Sequence, residues 1–302
     1  MTSVLIGTAD GVLEIGRSTP VGLAGQEVTA LVQENGSLWA IVDGQSVWRR
    51  DPEGDFVEVT RTTGEQITCL LPLAAGLLVG TAGAHLSIVA DGQRSPVMAF
   101  EDAPTREGWH TPWGGPADTR SLARSGAGTL LINVHVGGVL RSMSADGPWS
   151  ATIDLHADVH QVIAGADFPP GLSLLAAAAG LGVSTDDGRT WEIETEGLHA
   201  HYCRAVALAD EAVLVSASTG PRSQKGALYR RPLEGGREPL SRCEKGLPEW
   251  VPGNIDTYCL AASGSVAAFA APDGAVFVSD DAGASWEQEA SGLRGPRAVV
   301  VA

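Results

Sequence analysis

No cluster of basic residues occurs in this 302-residue chain, and its 20 lysines and arginines face 36 aspartates and glutamates, a net charge of −16. A surface that neutralises phosphates needs the opposite balance, so nucleic acid is excluded as an expected partner. Cysteine is scarce. Cys69, Cys203, Cys243 and Cys259 form no C-x-x-C pair and keep no regular spacing. They read as reduced core thiols, since a free cysteine in an apolar run behaves as a small hydrophobe. Long hydrophobic runs are missing too: Leu70 to Val79 is broken by Pro72 and Gly76 and falls short of the ~20 residues that cross a bilayer. The opening residues Met1-Thr2-Ser3-Val4-Leu5-Ile6-Gly7 have no basic segment ahead of their short apolar run, unlike a secretory leader. A soluble cytoplasmic protein with no membrane partner is expected.

Helical periodicity is also absent, and glycine is not: 38 glycines punctuate short apolar runs, the pattern of an all-β chain. One short segment recurs. Val28-Thr29-Ala30-Leu31 returns as Ile67-Thr68-Cys69-Leu70, Thr119-Arg120-Ser121-Leu122, Val159-His160-Gln161-Val162, Cys203-Arg204-Ala205-Val206, Thr257-Tyr258-Cys259-Leu260 and Pro296-Arg297-Ala298-Val299. The second residues of successive copies are 39, 52, 40, 44, 54 and 39 positions apart. Propeller blades of four antiparallel strands take ~40–50 residues. Each copy opens a first strand, followed by a second such as Ser37–Val42, a third opening near glycine, and a more polar fourth. The last copy has nothing after it, while residues 3–16 supply second and third strands with nothing before them. The expectation is one domain over residues 1–302, a seven-bladed β-propeller whose C-terminal strand completes the N-terminal blade and closes the ring. Trp39 and Trp48, inside strand runs, are expected in the core.

Two turns between third and fourth strands are nearly identical: Ser184-Thr185-Asp186-Asp187-Gly188-Arg189-Thr190-Trp191 and Ser279-Asp280-Asp281-Ala282-Gly283-Ala284-Ser285-Trp286. Both read S-x-D-x-G-x-[S/T]-W. This resembles the Asp-box, or bacterial neuraminidase repeat, of sialidases, sortilin-type receptors and photosystem II assembly factors. A degenerate copy keeps Ser142 and Trp149, blade 2 keeps Asp51 with Phe56 in the tryptophan position, and blade 3 keeps Asp91. The resemblance implies a hairpin stabilised by its own carboxylate, glycine and tryptophan. It does not imply sialidase activity, because the Arg-Ile-Pro segment of that family is missing. Fold-level motifs of this kind leave function to the site.

Strand alternation places the fourth-to-first and second-to-third loops on one side, called the top, and the S-x-D-x-G turns on the other. The two long intervals hold the insertions, and all of them map to the top: Glu101 to Ala117 with Trp109, His110 and Trp113, then residues 220–225, and 246–252 with Trp250. Loops longer than a turn requires tend to be functional. The recurring second residues would ring the channel mouth as Thr29, Thr68, Arg120, His160, Arg204, Tyr258 and Arg297, with Glu27, Asp118, Asp158, Tyr202 and Asp256 two residues earlier in their copies. Arginine forks suit carboxylates and phosphates. The alternative is structural, with Arg120 paired to Asp118 or Asp158, and Arg204 and Arg297 to Asp256 and Glu27. Six of the seven histidines, His85, His110, His135, His160, His199 and His201, map to the top, which suits acid–base work. His199-x-His201 is the only close histidine pair, so no metal site and no cofactor are expected.

The leading expectation is a propeller that binds an anionic small molecule or a peptide carboxylate in a top-face funnel. Arg120, Arg204 and Arg297 would hold the charge, His160, Tyr258, His135 and Asp256 would line the seat, and Trp113, His110 and Trp250 would cover it. An enzyme using the same funnel is the second reading, either a metal-free lyase or hydrolase or a histidine–metal catalyst, with His160, Tyr258, His110 and His201 as catalytic candidates. A non-catalytic assembly scaffold with a protein partner is the third.

Overall fold

The computed structural model describes residues 2–210, 212–233 and 238–302. Six four-stranded antiparallel sheets follow one another along the chain, each with its strands side by side in chain order. Blade 2 holds Val28–Glu34, Ser37–Val42, Ser46–Arg50 and Val57–Arg61; blade 3 holds Ile67–Leu73, Gly76–Thr81, His85–Ala90 and Gln93–Pro96. Blade 4 is Thr119–Arg124, Leu130–Val134, Gly138–Ser142 and Ser150–Ala151, and blade 5 is Val159–Ile163, Ser173–Ala177, Gly180–Ser184 and Glu192–Glu194. Tyr202–Ala209, Ala212–Ser218, Ala227–Pro232 and Ser241–Arg242 form blade 6; Leu260–Ser263, Val266–Ala270, Val276–Ser279 and Glu287–Ala290 form blade 7. The seventh sheet, blade 1, joins the two ends of the chain: Ala298–Val301 pairs with Val4–Thr8, which pairs with Gly11–Glu14. The chain is all-β, a seven-bladed β-propeller closed by its C-terminal strand as expected.

Blade 1 differs from the four-strand plan. Among the described residues it has three strands, and a single bridge from Val12 to Gly22 is all that meets its outer edge. Among the described residues helix is confined to Met98–Glu101 and a 3-10 turn at Arg106–Gly108, in and beside the first insertion.

The chain divides into two compact units. One comprises Met1–Asp43, Trp48–Val57 and Thr195–Ala302 and contains blades 1, 6 and 7; the other comprises Gly44–Val47 and Glu58–Glu194 and contains blades 3, 4 and 5. Within the first unit, Leu214, Leu228, Val251, Phe269, Phe277 and Trp286 pack blade 6 on blade 7. Ile6, Val276 and Val299 join blade 7 to blade 1. Within the second, Leu78, Leu86, Phe100, Ile132 and Trp149 fill the space between blades 3 and 4, and Leu131, Val159 and Leu175 that between blades 4 and 5. Each such side chain removed from water contributes roughly 1.5–3 kcal/mol, so the blade faces hold most of the apolar stabilisation. Trp39 and Trp48 are half-buried rather than core. The Arg49 guanidinium lies 5.2 Å above the Trp39 ring, and Trp48 packs at the margin of the cluster between blades 1 and 2.

The recurring second residue marks a specific backbone feature. In blades 2 to 6 the pairing of first and second strands shifts register between Val28 and Ala30, Ile67 and Cys69, Thr119 and Ser121, Val159 and Gln161, and Cys203 and Val206. Thr29, Thr68, Arg120 and His160 are therefore the extra residues of β-bulges, and Arg204 with Ala205 opposes Ser216 alone. A bulge leaves ladder groups unpaired and turns the side chain it carries. Tyr258 breaks the series: it sits in a turn at φ 68°, and its strand starts only at Leu260.

The S-x-D-x-G hairpins close through their own polar groups. Asp281 Oδ1 accepts the Ser279 hydroxyl at 2.8 Å and the Ser285 N–H at 2.7 Å, while Oδ2 accepts the Ser285 hydroxyl at 2.6 Å. Asp186 does the same with Ser184 and Thr190. Gly283 adopts φ 82°, and a Cβ there would meet Leu214 at 2.5 Å. Hydrogen bonding from the Ser285 hydroxyl, opposed by slight burial and aided by the Ser285 N–H, holds the Asp281 pKa down at about 2. At Asp186 burial pushes the pKa up, and the Thr190 N–H and hydroxyl outweigh it to give about 2.

Replacing Trp286, which is 3% exposed, by alanine is expected to cost about 3–5 kcal/mol in denaturant unfolding, and Trp191→Ala less because Trp191 is only half-buried. Both aspartates have folded pKa values below their unfolded ones. Their contribution is complete above about pH 4, the ordinary aspartate range, and disappears as pH falls toward about 2. Asp186→Asn with Asp281→Asn should therefore lower the melting temperature at pH 7 and flatten its fall between pH 4 and 2.

Candidate functional site in blades 6 and 7

The ring residues divide between the two units. In the first, Arg204 donates to Asp256 Oδ1 and its guanidinium lies 5.6 Å from the Tyr202 ring centre. Burial works against the Arg204 charge, but Asp256 and Tyr202 outweigh it and raise its pKa. Arg297 Nε donates to Glu27 Oε1 at 3.2 Å. Two of the three arginines expected to hold an anion thus already face a carboxylate of the neighbouring blade, the pairing that the structural alternative anticipated. Tyr258 packs beside the cluster between blades 1 and 2. His201 is exposed.

In the second unit, His135 Nε2 and His160 Nε2 approach one oxygen of Asp158 at 3.0 and 3.3 Å. The two imidazoles are 3% and 1% exposed. Burial alone would raise the Asp158 pKa; the hydrogen bonds and charges of the two histidines outweigh it and hold the carboxyl far below its usual range. Trp113, 75% exposed, touches His135 edge-on with ring centres 5.2 Å apart. His110 lies 6.1 Å from His156, ring centre to ring centre. Arg120 is half-buried in its bulge. His135 and His160 are thus held within the fold around a carboxylate.

Blades 6 and 7 carry an open cleft of about 640 Å³ on the side of their fourth-to-first and second-to-third loops. This volume suits a small ligand. Leu247, Pro248, Trp250 and Pro252 of the inserted loop form one wall, and Phe277, Gln288 and Asp273 belong to the other. Backbone bonds between Gly226 and Val251, both 2.9 Å, tie the inserted loop to the blade 6 hairpin. That hairpin is the other insertion, 220–225, so the two insertions of this unit support each other.

Trp250 also carries three basic side chains. Arg242 Cζ lies 4.1 Å and Lys225 Nζ 5.3 Å from its ring centre, and the His199 ring centre is at 4.8 Å. His199 Nδ1 meets the Tyr229 hydroxyl at 2.8 Å. Burial lowers the His199 pKa, and the charges of Arg242 and Lys225 lower it further against a hydrogen bond with the Lys225 backbone. The imidazole is therefore neutral at pH 7, and the positive charge belongs to Lys225 and Arg242. Among the described residues neither of these cations takes part in an ion pair. A cation over an indole face is attracted by the ring quadrupole while keeping N–H donors available.

Of the residues singled out from the sequence, only Trp250 lines this cleft. Asp273 was hidden because Pro272-Asp273-Gly274 reads as a turn, a role it also fills: its Oδ1 accepts the Ala275 N–H at 3.1 Å. Arg242 and Phe277 belong to ordinary strands, and no local spacing marks them. Among the described residues no three histidine, cysteine, aspartate or glutamate side chains are grouped to hold a metal ion, and no helix is long and apolar enough to cross a membrane. The four cysteines are free and buried, and burial pushes their thiols up to about 12 at Cys69, Cys203 and Cys259 and about 11 at Cys243. They are poor nucleophiles.

Asp158→Ala should destabilise the fold by about 1–3 kcal/mol at pH 7, the scale for leaving buried polar groups without the acceptor they approach. Because the folded Asp158 pKa is depressed, its stabilisation is complete above about pH 4 and declines below that. The gap in melting temperature between wild type and variant should narrow as the pH drops below 4.

No family model and no curated protein matches the chain. Solved structures do. The computationally designed Ika8 protein is 18% identical with a TM-score of 0.57, covering 97% of this chain and 85% of its own. A GH74 xyloglucanase from Xanthomonas campestris is 18% identical with a TM-score of 0.61 over 90% of this chain, which spans only 46% of that enzyme. YCF48, solved bound to D1 peptide, is 13% identical with a TM-score of 0.58, over 87% and 82% of the two chains. A designed protein, a glycoside hydrolase and a peptide-binding protein share this architecture, so what the likeness establishes is a β-propeller.

Proposed function

We propose that this chain is an Asp-box propeller that binds an anionic small molecule or a peptide carboxylate, and that its seat is the cleft of blades 6 and 7. The observation that carries the reading is Trp250: one indole lines the cleft and supports two cations that have no ion-pair partner among the described residues. An apolar ligand body would lie against Trp250, Leu247 and Phe277, and its anionic group would reach Lys225 and Arg242. Arg204 and Arg297, being paired with Asp256 and Glu27, would have to leave a carboxylate to take a ligand. A binding role also fits the comparison with YCF48, which was solved holding a peptide. Four buried thiols fit a reducing, cytoplasmic setting.

The test is calorimetric titration with 3-phenylpropanoate at low and high salt. Wild type should bind it more weakly as salt rises, because exposed charge interactions are screened. Trp250→Ala, and Lys225→Ala with Arg242→Ala, should each weaken binding at least about tenfold, the loss expected for one charge-assisted contact. Binding that survives both variants and is lost in Arg204→Ala would place the seat elsewhere.

A further inference from the structure

The cleft that receives an anion in this reading also presents a carboxylate. Asp273, at the tip of the turn joining the second and third strands of blade 7, lines it and is exposed. One of its oxygens is used by the Ala275 N–H. Gln288, on the fourth strand of the same blade, adds an exposed amide to this end. Lys225 and Arg242 belong to blade 6 and meet the cleft through Trp250. The cleft therefore has Trp250 on its blade 6 side, with Lys225 and Arg242 standing against that indole rather than lining the cleft themselves, and a hydrogen-bond acceptor with negative charge on its blade 7 side.

A simple anion fits this arrangement poorly. It would gain at Lys225 and Arg242 but meet Asp273 across the same small space, and it would approach a chain of net charge −16 against long-range repulsion. A ligand with a positive group at its other end escapes both costs. Resting on the reading that the cleft is the binding seat, we infer that its ligand is amphoteric: an α-amino acid or a short peptide with an apolar side chain. The side chain lies on Trp250, the carboxylate meets Lys225 and Arg242, and the ammonium group donates to Asp273 and sits beside the Gln288 amide. Asp273 is then the residue that selects the class.

Three probes separate the parts. L-Phenylalanine carries both charges, 3-phenylpropanoate lacks the ammonium, and phenethylamine lacks the carboxylate; glycyl-phenylalanine spaces the two charges farther apart. Affinities are measured by calorimetry on wild type and on Asp273→Asn, which keeps the oxygen that caps the turn. Wild type should prefer phenylalanine or the dipeptide over both singly charged probes by at least about tenfold, as a charge-assisted contact supplies; whichever zwitterion binds tighter gives the spacing the cleft reads. Asp273→Asn should bring that zwitterion down to the level of 3-phenylpropanoate and leave 3-phenylpropanoate no weaker. Equal wild-type affinity for the zwitterions and 3-phenylpropanoate would overturn the amphoteric ligand while leaving the anion seat standing. An equal loss for both classes in Asp273→Asn would reduce Asp273 to a turn residue and overturn its selecting role. If none of the four probes binds wild type, the cleft reading fails and this inference with it.

Discussion

The bulges in the first strands of blades 4, 5 and 6 leave backbone groups that the strand ladder does not pair. A backbone group left out of the ladder and kept from water has to find a partner, and at each of these three bulges a carbonyl finds it in the adjoining blade. The Thr119 carbonyl, at the blade 4 bulge, accepts the Thr68 hydroxyl of blade 3. The Val159 carbonyl, at the blade 5 bulge, accepts the Asn133 amide of blade 4 at 3.0 Å. In the other unit, Thr257 donates to the Arg204 carbonyl at 3.1 Å, and Ser216 both accepts from Ala205 N–H and donates to the Ile255 carbonyl. The polar stitching between blades and the twist of their first strands therefore have a common origin. Removing one such side chain would strand a buried carbonyl or N–H, which costs more than the bond itself contributes.

This explains why polar residues recur at one place in otherwise apolar strands. It also accounts for the behaviour of the arginines. At a bulge the side chain is turned out of the sheet, and Arg204 finds Asp256 just ahead of the next blade. Arg297, which precedes its strand without a bulge, finds Glu27 in the same way. Lys225 and Arg242, resting on an indole instead of a carboxylate, are distinguished by this arrangement.

The architecture was legible in the sequence because it repeats. Thr29, Thr68, Arg120, His160 and Arg204 could be aligned by eye, and each is a bulge residue or half of one; Ser184-to-Trp191 and Ser279-to-Trp286 specify their hairpins locally. Closure of blade 1 followed from counting strands at the two ends. Tyr258 was misplaced because a left-handed turn and a strand opening can carry the same residues. The cleft was only half legible. Its loops stood out by length and Trp250 by type, but Asp273 and Phe277 gain their meaning from strands some 25 residues farther along the chain, where only packing brings them to the inserted loop. Likewise the partners of His135 and His160 depend on Asp158 being held between blades 4 and 5, which no spacing reveals.

The seam in blade 1 has a consequence for how the molecule is made. Ser3 and Ala302 exchange backbone hydrogen bonds of 2.9 and 2.8 Å, and Val4 lies opposite Val301. Val4–Thr8 leaves the ribosome nearly three hundred residues ahead of Ala298–Val301, so it emerges with an open edge and keeps it until that partner strand has been synthesised. Contacts of such sequence separation are slow to form, and an unpaired edge is a site of aggregation while it waits. The ring is thus most vulnerable during translation, at the one sheet whose strands are not neighbours in time.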